Sequence, residues 1–578
     1  MRNAEIAAAL DELADLYELD GAVVYRVVAY RQAARSIRDS PRSVEQLAAE
    51  GRATELAHIG KTLQEKINAL LETGDIPAAV KLREKFPGEL ARFTQIPGLG
   101  PKTARKIHDE LGIATLDELR AAAESGQLRA IQGLGPKAEE NILRSLDQDP
   151  VPDDGDGRRL LLPAVLAIGE QIVAQLRSHP AADKVEIAGS ARRMTDTCKD
   201  LDIVATAHDA QALTEAFTVL QLVSEVRGSG EAGARILTHN GLRIDFRVVA
   251  PEQFGNVLQH LTGSKHHNMA LREYAVRRGL HVSEYGVEDD SDGKKHTCET
   301  EQQVYALLGL DYIEPELREG RGELRAAIEH RLPELITLDD LRGDLHCHTT
   351  LSDGRATLEQ MAKAAEKLGY SYLAVTDHSS TFGFGMDVQA DELLRQVEQI
   401  RELNARLRGF RVLAGSEVNI QLDGSIDYDD EVLEQLDWVI ASVHSSFRMG
   451  EKRMTERMMA AMDHPLVDAI GHPTGRKILA RDPYQIDVER LITHAAETQT
   501  MLEIDAGTDR RDLSDVHARA AAEAGVMIVI DSDAHSTKTL ELIKYGVATA
   551  RRAWLTPAQV ANTRPWRELK KLRKRERR

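Results

Sequence analysis

At 578 residues the chain is too long for one domain, and a prior of about one domain per 150 residues predicts roughly four. Its 42% hydrophobic and 29% charged residues are those of a globular protein, and no run approaches the ~18 consecutive apolar residues of a membrane-spanning helix. The formal net charge of -19 does not exclude nucleic acid, because binding rests on local patches. The three widely spaced cysteines (Cys198, Cys298, Cys347) exclude a disulfide scaffold and a Cys-rich zinc module, and predict a reducing, cytoplasmic setting. The opening MRNAEIAAALDELADLYELDG carries acids through its apolar spacing, so no secretory leader is expected.

Residues 1–150 have helical apolar spacing broken by Gly-containing turns. One element recurs: IPGLGPKTARKI at 96–107, IQGLGPKAEENI at 131–142, and a fainter HIGKTLQEKI at 58–67. Glycines around one apolar residue permit a tight turn and a close approach of backbone N–H groups to an anion. Gly60, Gly98, Gly100, Gly133 and Gly135 are the candidate contacts, with Lys102 and Lys137 at the positive starts of the following helices. A single copy reads equally as a helix-capping turn; the repeated element resembles the helix-hairpin-helix motif, which implies binding of the DNA backbone without sequence readout. The polar stretch DQDPVPDDGDG follows as a linker.

Residues 158–250 read as a helix and then strands such as VEIAG, DLDIVAT and LRIDFRVVA. Asp200 and Asp202 are two apart on a strand and share a face, and Asp245 adds a third carboxylate if the two strands are neighbours. Three clustered carboxylates are the usual means of holding two divalent ions about 3.5–4 Å apart. Upstream, Gly189 and Ser190 offer donors and Arg193 a forked cation for a triphosphate. D-x-D alone is an ordinary strand edge; G-S-x-R-R, then D-x-D, then R-I-D is far more specific. Residues 251–318 read as helix and turn, and 319–340 as a connection.

From Arg342, seven apolar runs alternate with helical segments: GDLHCH, YLAVTDH, RVLAGSEV, LDWVIASVH, DAIGHP, MLEIDAG and VMIVIDSDAH. This rhythm predicts parallel β/α units, and nearly all the runs carry His, Asp or Glu at their ends, where a β/α barrel gathers its chemistry. The candidates are His346, His348, Asp353, His378, Glu417, His444, His472, Asp533 and His535. Cys347 points away from its histidine neighbours and is expected in the core. Asp377, His464, His494 and His517 are expected behind the cluster or on the surface. Imidazole with carboxylate suits Zn²⁺, Mn²⁺ or Fe²⁺ rather than Mg²⁺. The last thirteen residues, WRELKKLRKRERR, hold eight Lys or Arg and read as a frayed basic helix or a phosphate-seeking tail.

The G-S…D-x-D arrangement resembles the nucleotidyltransferase superfamily. With the glycine hairpins before it (similar to the helix-hairpin-helix motif) and LTGSKHHNMALR after it, the first 320 or so residues resemble a family X DNA polymerase related to DNA polymerase beta. Residues 341–560 resemble the PHP (polymerase and histidinol phosphatase) domain. The resemblance implies a multidomain chain with an all-α N-terminal helix-hairpin-helix region, an α+β nucleotidyltransferase palm and a C-terminal distorted (β/α)7 barrel. Its expected divisions are a lyase-like helical domain (1–75), a helix-hairpin-helix domain (76–150), palm (158–250), thumb (251–318), linker (319–340), PHP domain (341–560) and basic tail (561–578).

By the same resemblance, Asp200, Asp202 and Asp245 bind catalytic Mg²⁺ or Mn²⁺, while Gly189, Ser190 and Arg193 hold the incoming triphosphate. Arg243 neighbours the primer end, and Asn268 and Arg272 face the nascent base pair. His260-Leu261 replace the Tyr-Phe pair of the vertebrate pattern, which leaves sugar discrimination open. Lys66 falls on the family's Schiff-base lyase lysine. The phosphate-pocket lysines appear as Arg26 and Thr62, so a surface lysine on a DNA-contacting helix stands beside that reading. The nine barrel residues imply up to three Mn²⁺ or Zn²⁺ ions and phosphoester hydrolysis by a metal-activated hydroxide. The whole implies a polymerase filling short gaps in base excision repair with a 3′→5′ exonuclease. It would act on gapped or nicked double-stranded DNA and dNTPs in the cytoplasm, at the nucleoid and away from membranes. The alternatives are a PHP nuclease or phosphatase whose polymerase core only positions DNA, and a non-catalytic repair scaffold.

Overall fold

The computed structural model describes residues 1–86, 90–94, 96, 99–131, 133–147, 158–381 and 387–576. The chain divides into two compact units: Met1–Leu160, Ala167–Glu186 and Lys199–Val248 in one, and Leu161–Leu166, Ile187–Cys198 and Val249–Arg578 in the other. Among the described residues no helix is long and apolar enough to cross a membrane.

The first unit opens with helices Asn3–Leu19 and Val24–Asp39. Ile6, Leu10, Leu13 and Ala14 recur at helical spacing and are wholly buried, packing with Val27, Ala34 and Ile37 of the second helix. A second apolar cluster collects Leu99 and Leu134, the residues between the paired glycines, which are buried while Gly100, Gly133 and Gly135 beside them are exposed. A five-stranded sheet follows, with β1 (Ala182–Ile187), β2 (Asp200–Ala207), β3 (Val223–Gly230), β4 (Gly233–Thr238) and β5 (Arg243–Val248) in the order β1-β2-β5-β4-β3. β2 and β5 are parallel, whereas β5-β4 and β4-β3 are antiparallel. The β3–β4 hairpin has no counterpart among the expected strands. VSEVRGSG is exposed nearly throughout, so it carries no burial alternation and is held by backbone pairing.

In the second unit, residues 251–318 depart from the expected helix and turn. Helices Phe254–Thr262 and Lys265–Val276 are joined by an antiparallel sheet of β6 (Leu280–Ser283), β7 (Gly286–Asp289) and β8 (Lys295–His296). These strands are too short, and too polar outside buried Val287, to register as a periodic signal. The expected connection at 319–340 is also packed: helix Glu323–Ile328 buries Ala327, and Ile336 enters the barrel core.

The barrel strands are β9 (Gly343–Asp344), β10 (Tyr372–Val375), β11 (Arg411–Asn419), β12 (Trp438–Ser442), β13 (Ala469–Ile470), β14 (Met501–Asp505) and β15 (Ile528–Asp531). They pair sequentially and in parallel, and a bridge between Cys347 and Ala534 joins the first strand region to the last. Alternate residues form separate cores. Leu373, Val412, Val439 and Leu502 pack with the helices, whereas Tyr372, Leu413, Trp438 and Met501 form the inner cluster. That inner cluster includes Leu569, which corrects the expectation of a frayed C-terminus. Helix Trp566–Leu569 enters the barrel floor, and Arg575 donates to the carbonyls of Leu433 (3.2 Å), Leu436 (3.0 Å) and Leu466 (2.9 Å). Arg575 thereby pairs carbonyls at the end of helix Asp430–Leu433 and in the loops that follow it and helix Glu451–Asp463.

Candidate functional site

On β2, Leu201 and Ile203 are fully buried, which turns Asp200 and Asp202 to the opposite face. The parallel register with β5 sets Asp202 opposite Asp245 and Asp200 opposite Arg243. Like charges on adjacent strands repel, and arginines offset this. Arg235 Nε is 3.2 Å and Arg247 Nε 4.0 Å from Asp245, and Arg243 Nη2 is 3.9 Å from Asp200. An oxygen-only donor set of this kind suits a hard divalent cation.

Gly189 (φ 67°) and Ser190 lie in the one-turn helix Gly189–Arg192 of the second unit. Arg193 is tied down within that unit: Nε is 3.0 Å from Glu319, and Nη1 donates to the Thr262 carbonyl at 2.9 Å. Asn268 Nδ2 donates to the carbonyls of His260 (2.7 Å) and Gly263 (3.1 Å), and Arg272 Nη2 lies 3.3 Å from His260 Nδ1. The end of helix Phe254–Thr262 thus gathers Arg193, Asn268 and Arg272. Beneath it sits Glu301, which the sequence reading missed. Its carboxylate meets Arg192 at 2.7 Å and also pairs with fully buried Arg318. Burial raises its pKa, but Arg318 and Arg192 outweigh that and bring it down to about 2.

At Gly100 and Gly135, before helices Pro101–Leu111 and Pro136–Asp147, an added Cβ would meet nothing within 4 Å, and neither residue has a positive φ. The fold does not itself demand glycine there, which leaves the backbone open to close approach. Gly133 (φ 103°) is required by its conformation. Gly98 lies outside the described residues. Lys102 and Lys137 are exposed. Gly60 precedes helix Lys61–Thr73, where Lys66 is half-buried and Thr62 exposed; Arg26 lies 5.2 Å over the Tyr17 ring.

The barrel gathers all nine of its candidates at the C-terminal ends of its strands. Glu417 of β11 is central: His378 Nδ1 is 2.8 Å from it, His472 Nε2 3.0 Å, His444 Nε2 3.2 Å and His346 Nε2 3.5 Å. Asp533 Oδ1 lies 3.1 Å from His348 Nε2, and Asp353 Oδ2 lies 3.1 Å from His535 Nε2 and 3.5 Å from His378 Nε2. Three groups have ligand atoms within 4.8 Å of one another: His348, Asp353, His378 and His535; His346, His348 and Asp533; and His378, Glu417 and His444. Among the described residues His346 Nε2, His348 Nδ1 and His472 Nδ1 are buried without a hydrogen-bond partner, so this donor set fits metal ions.

Electrostatics divides the imidazoles. Burial lowers His348, assisted by His378 and His535, to about 4, and burial with Arg510 lowers His472 to about 3. Burial also opposes the charging of His378, but Glu417 and Asp353 outweigh it and hold it at about 9. His472 (φ 28°) and Asp533 (φ 49°) adopt backbone conformations that cost about 1–3 kcal/mol each and persist where the surroundings over-determine them.

Supporting residues were less legible. Glu503 is fully buried, 2.7 Å from His346 Nδ1, and accepts from the His472 N–H at 2.5 Å. It lies in the apolar run MLEIDAG, and an acid inside such a run was the available signal. Asn419 Oδ1 lies 2.5 Å from His444 Nδ1. Asp377 stands behind the cluster, accepting from the Thr349 N–H (2.7 Å), Ser352 Oγ (2.6 Å) and Gln396 Nε2 (2.6 Å), and so shapes the loop that delivers Asp353. Cys347 is buried, with Sγ donating to the Ala374 carbonyl at 3.3 Å. His464 and His494 pair with Asp430 and Asp463, and His517 is partly buried.

The sequence matches models of a helix-hairpin-helix domain (residues 1–76), a SAM-like helix-hairpin-helix tandem (90–148), the DNA polymerase beta thumb (257–319) and the PHP domain (344–506). It is 36% identical over 578 residues to the "DNA polymerase/3'-5' exonuclease PolX" of Bacillus subtilis (strain 168), covering 100% of both chains. It is 26% identical over 345 residues to DNA polymerase lambda of Rattus norvegicus, spanning 55% of this chain and 56% of that one. A probable phosphatase of Thermoanaerobacter sp. (strain X514) is 32% identical over 232 residues, covering 38% of this chain and 89% of the relative.

Proposed function

Since the chain belongs to the bacterial family X DNA polymerases that carry a C-terminal PHP domain, we propose that it both extends and trims DNA 3′ ends. The substrates are short gaps or nicks in double-stranded DNA, with dNTPs, in base excision repair. The observation that carries this reading is the presence in one chain of two donor sets of different chemistry. One is the carboxylate face that Asp200, Asp202 and Asp245 form on two neighbouring strands, and the other a mixed imidazole–carboxylate cluster around Glu417.

In synthesis, Asp200, Asp202 and Asp245 hold Mg²⁺ or Mn²⁺, while Gly189, Ser190 and Arg193 bind the triphosphate. Arg243 stands by the primer end, and Asn268 and Arg272 orient the nascent pair. The Gly60, Gly98–Gly100 and Gly133–Gly135 turns, with Lys102 and Lys137, bind the DNA backbone. In trimming, His346, His348, Asp353, His378, Glu417, His444, His472, Asp533 and His535 hold Mn²⁺ or Zn²⁺. In both sites the bound cations would supply activation of the attacking oxygen and stabilisation of the leaving one. Lys66 is proposed as the amine of a deoxyribose-phosphate lyase.

The test is incubation of the purified chain with gapped DNA and Mn²⁺, with and without dNTPs. Lengthening with dNTPs and shortening without them is the expected result. Shortening alone would leave a nuclease on a non-synthesising core, and binding without either reaction would leave a scaffold.

A further inference from the structure

Segment Ile187–Cys198, which carries Gly189, Ser190 and Arg193, lies in the same compact unit as the barrel. Barrel side chains hold it at three points. Asp196 is gripped by Arg476 Nη1 at 2.9 Å and Arg511 Nη1 at 3.2 Å. Arg511 Nη2 donates to the Met194 carbonyl at 2.9 Å. Arg552 Nη1 donates to the Arg193 carbonyl at 2.7 Å.

These contacts are built in. Arg511 is fully buried, its Nε donates to Thr549 Oγ1 at 2.9 Å, and Arg476 donates to its carbonyl. Among the described residues the ion-pair partner of Arg511 is Asp196. A buried guanidinium is costly unless paired, and the counter-charge of Arg511 lies outside the barrel, on the segment that the barrel holds. Met194 (φ 56°) and Arg511 (φ 47°) both take left-handed conformations, which side-chain-bearing residues keep only when the surroundings enforce them. Arg552 also shares Glu319 Oε1 (2.8 Å) with Arg193 (3.0 Å). When Arg193 turns to a phosphate, Glu319 therefore keeps a cation.

We propose that the barrel positions the triphosphate-binding loop, with Arg476, Arg511 and Arg552 as positioning residues for nucleotide binding through Asp196, Met194 and Arg193. This rests on the triphosphate reading of Gly189, Ser190 and Arg193. The PHP domain is then a working part of the polymerase as well as a second active site.

The test uses full-length protein in steady-state primer extension, with Mn²⁺-dependent trimming and thermal unfolding measured alongside. Asp196→Asn is expected to raise KM for dNTP about tenfold, to leave kcat and trimming within about twofold, and to be restored by Asp196→Glu. Arg476→Gln, at a side chain that reaches the surface, is expected to raise KM in the same way and carries the test if Asp196→Asn does not fold. Ser190→Ala serves as the control on the loop itself. A normal KM in folded Asp196→Asn or Arg476→Gln, with a raised KM in Ser190→Ala, overturns the proposal. A normal KM in Ser190→Ala overturns the triphosphate reading, and the proposal with it.

Discussion

Asp202 on β2 and Asp245 on β5 are direct register partners on neighbouring parallel strands, so their carboxylates stand side by side on one face of the sheet. Asp202→Ala or Asp245→Ala is expected to lower primer extension by roughly two to three orders of magnitude, while trimming by the barrel persists. Single-turnover extension on gapped DNA checks it, and near-normal rates would remove the palm assignment.

His348 belongs to two of the three donor groups in the barrel, and Glu503 holds His346 from behind. His348→Ala is expected to abolish Mn²⁺-dependent 3′ shortening and to spare extension. Glu503→Gln is expected to weaken Mn²⁺ binding by about 10–100-fold, because the carboxylate sets the imidazole's tautomer and orientation. Metal titration of the full-length variants reads both.

Exposed Lys102 and Lys137 stand at the starts of two helices that follow open glycines. Each Lys→Ala change is expected to weaken DNA binding alike across sequences and to reduce the slope of log affinity against log salt by about 1. Fluorescence anisotropy at several salt concentrations measures it; an unchanged slope in both variants removes these lysines from the DNA contact.

Glu301, brought down to about 2 between Arg318 and Arg192, links thumb stability to pH. Its folded pKa lies below the unfolded one, so its contribution is full above about pH 4.5 and is lost as pH falls toward 2. The shift corresponds to about 3 kcal/mol. Glu301→Gln, which strands a buried guanidinium, is expected to cost about 3–5 kcal/mol at neutral pH. It should also flatten the acid limb of the unfolding curve.

Leu569 fills the barrel floor among Trp438, Tyr372 and Met501. Leu569→Ala is expected to cost about 2–5 kcal/mol and to lower Tm, with both activities retained below the transition. A Tm unchanged by Leu569→Ala would mean that the C-terminal segment does not close the barrel in solution.

Chemistry that repeats locally was legible along the chain. The seven barrel strands announce themselves because they are short apolar runs, nearly all of them with a ligand-type residue at the end, and parallel strands place such ends on one face. The paired glycine turns were legible for the same reason: backbone conformation and helix starts are set by residues a few positions apart. Relationships across long separations were not. That Asp245 lies opposite Asp202, that Glu503 braces His346, and that a basic tail buries Leu569 are decided by strand order and packing. Glu301 and β3 illustrate the limit from both sides. A carboxylate between arginines 109 and 17 residues away has no local signature, and an exposed strand held by backbone hydrogen bonds has no apolar period. Sequence by itself determined which groups this protein can bring to phosphate chemistry. Only the tertiary structure decided which of them meet, because distance in space depends on how the whole chain buries its apolar surface.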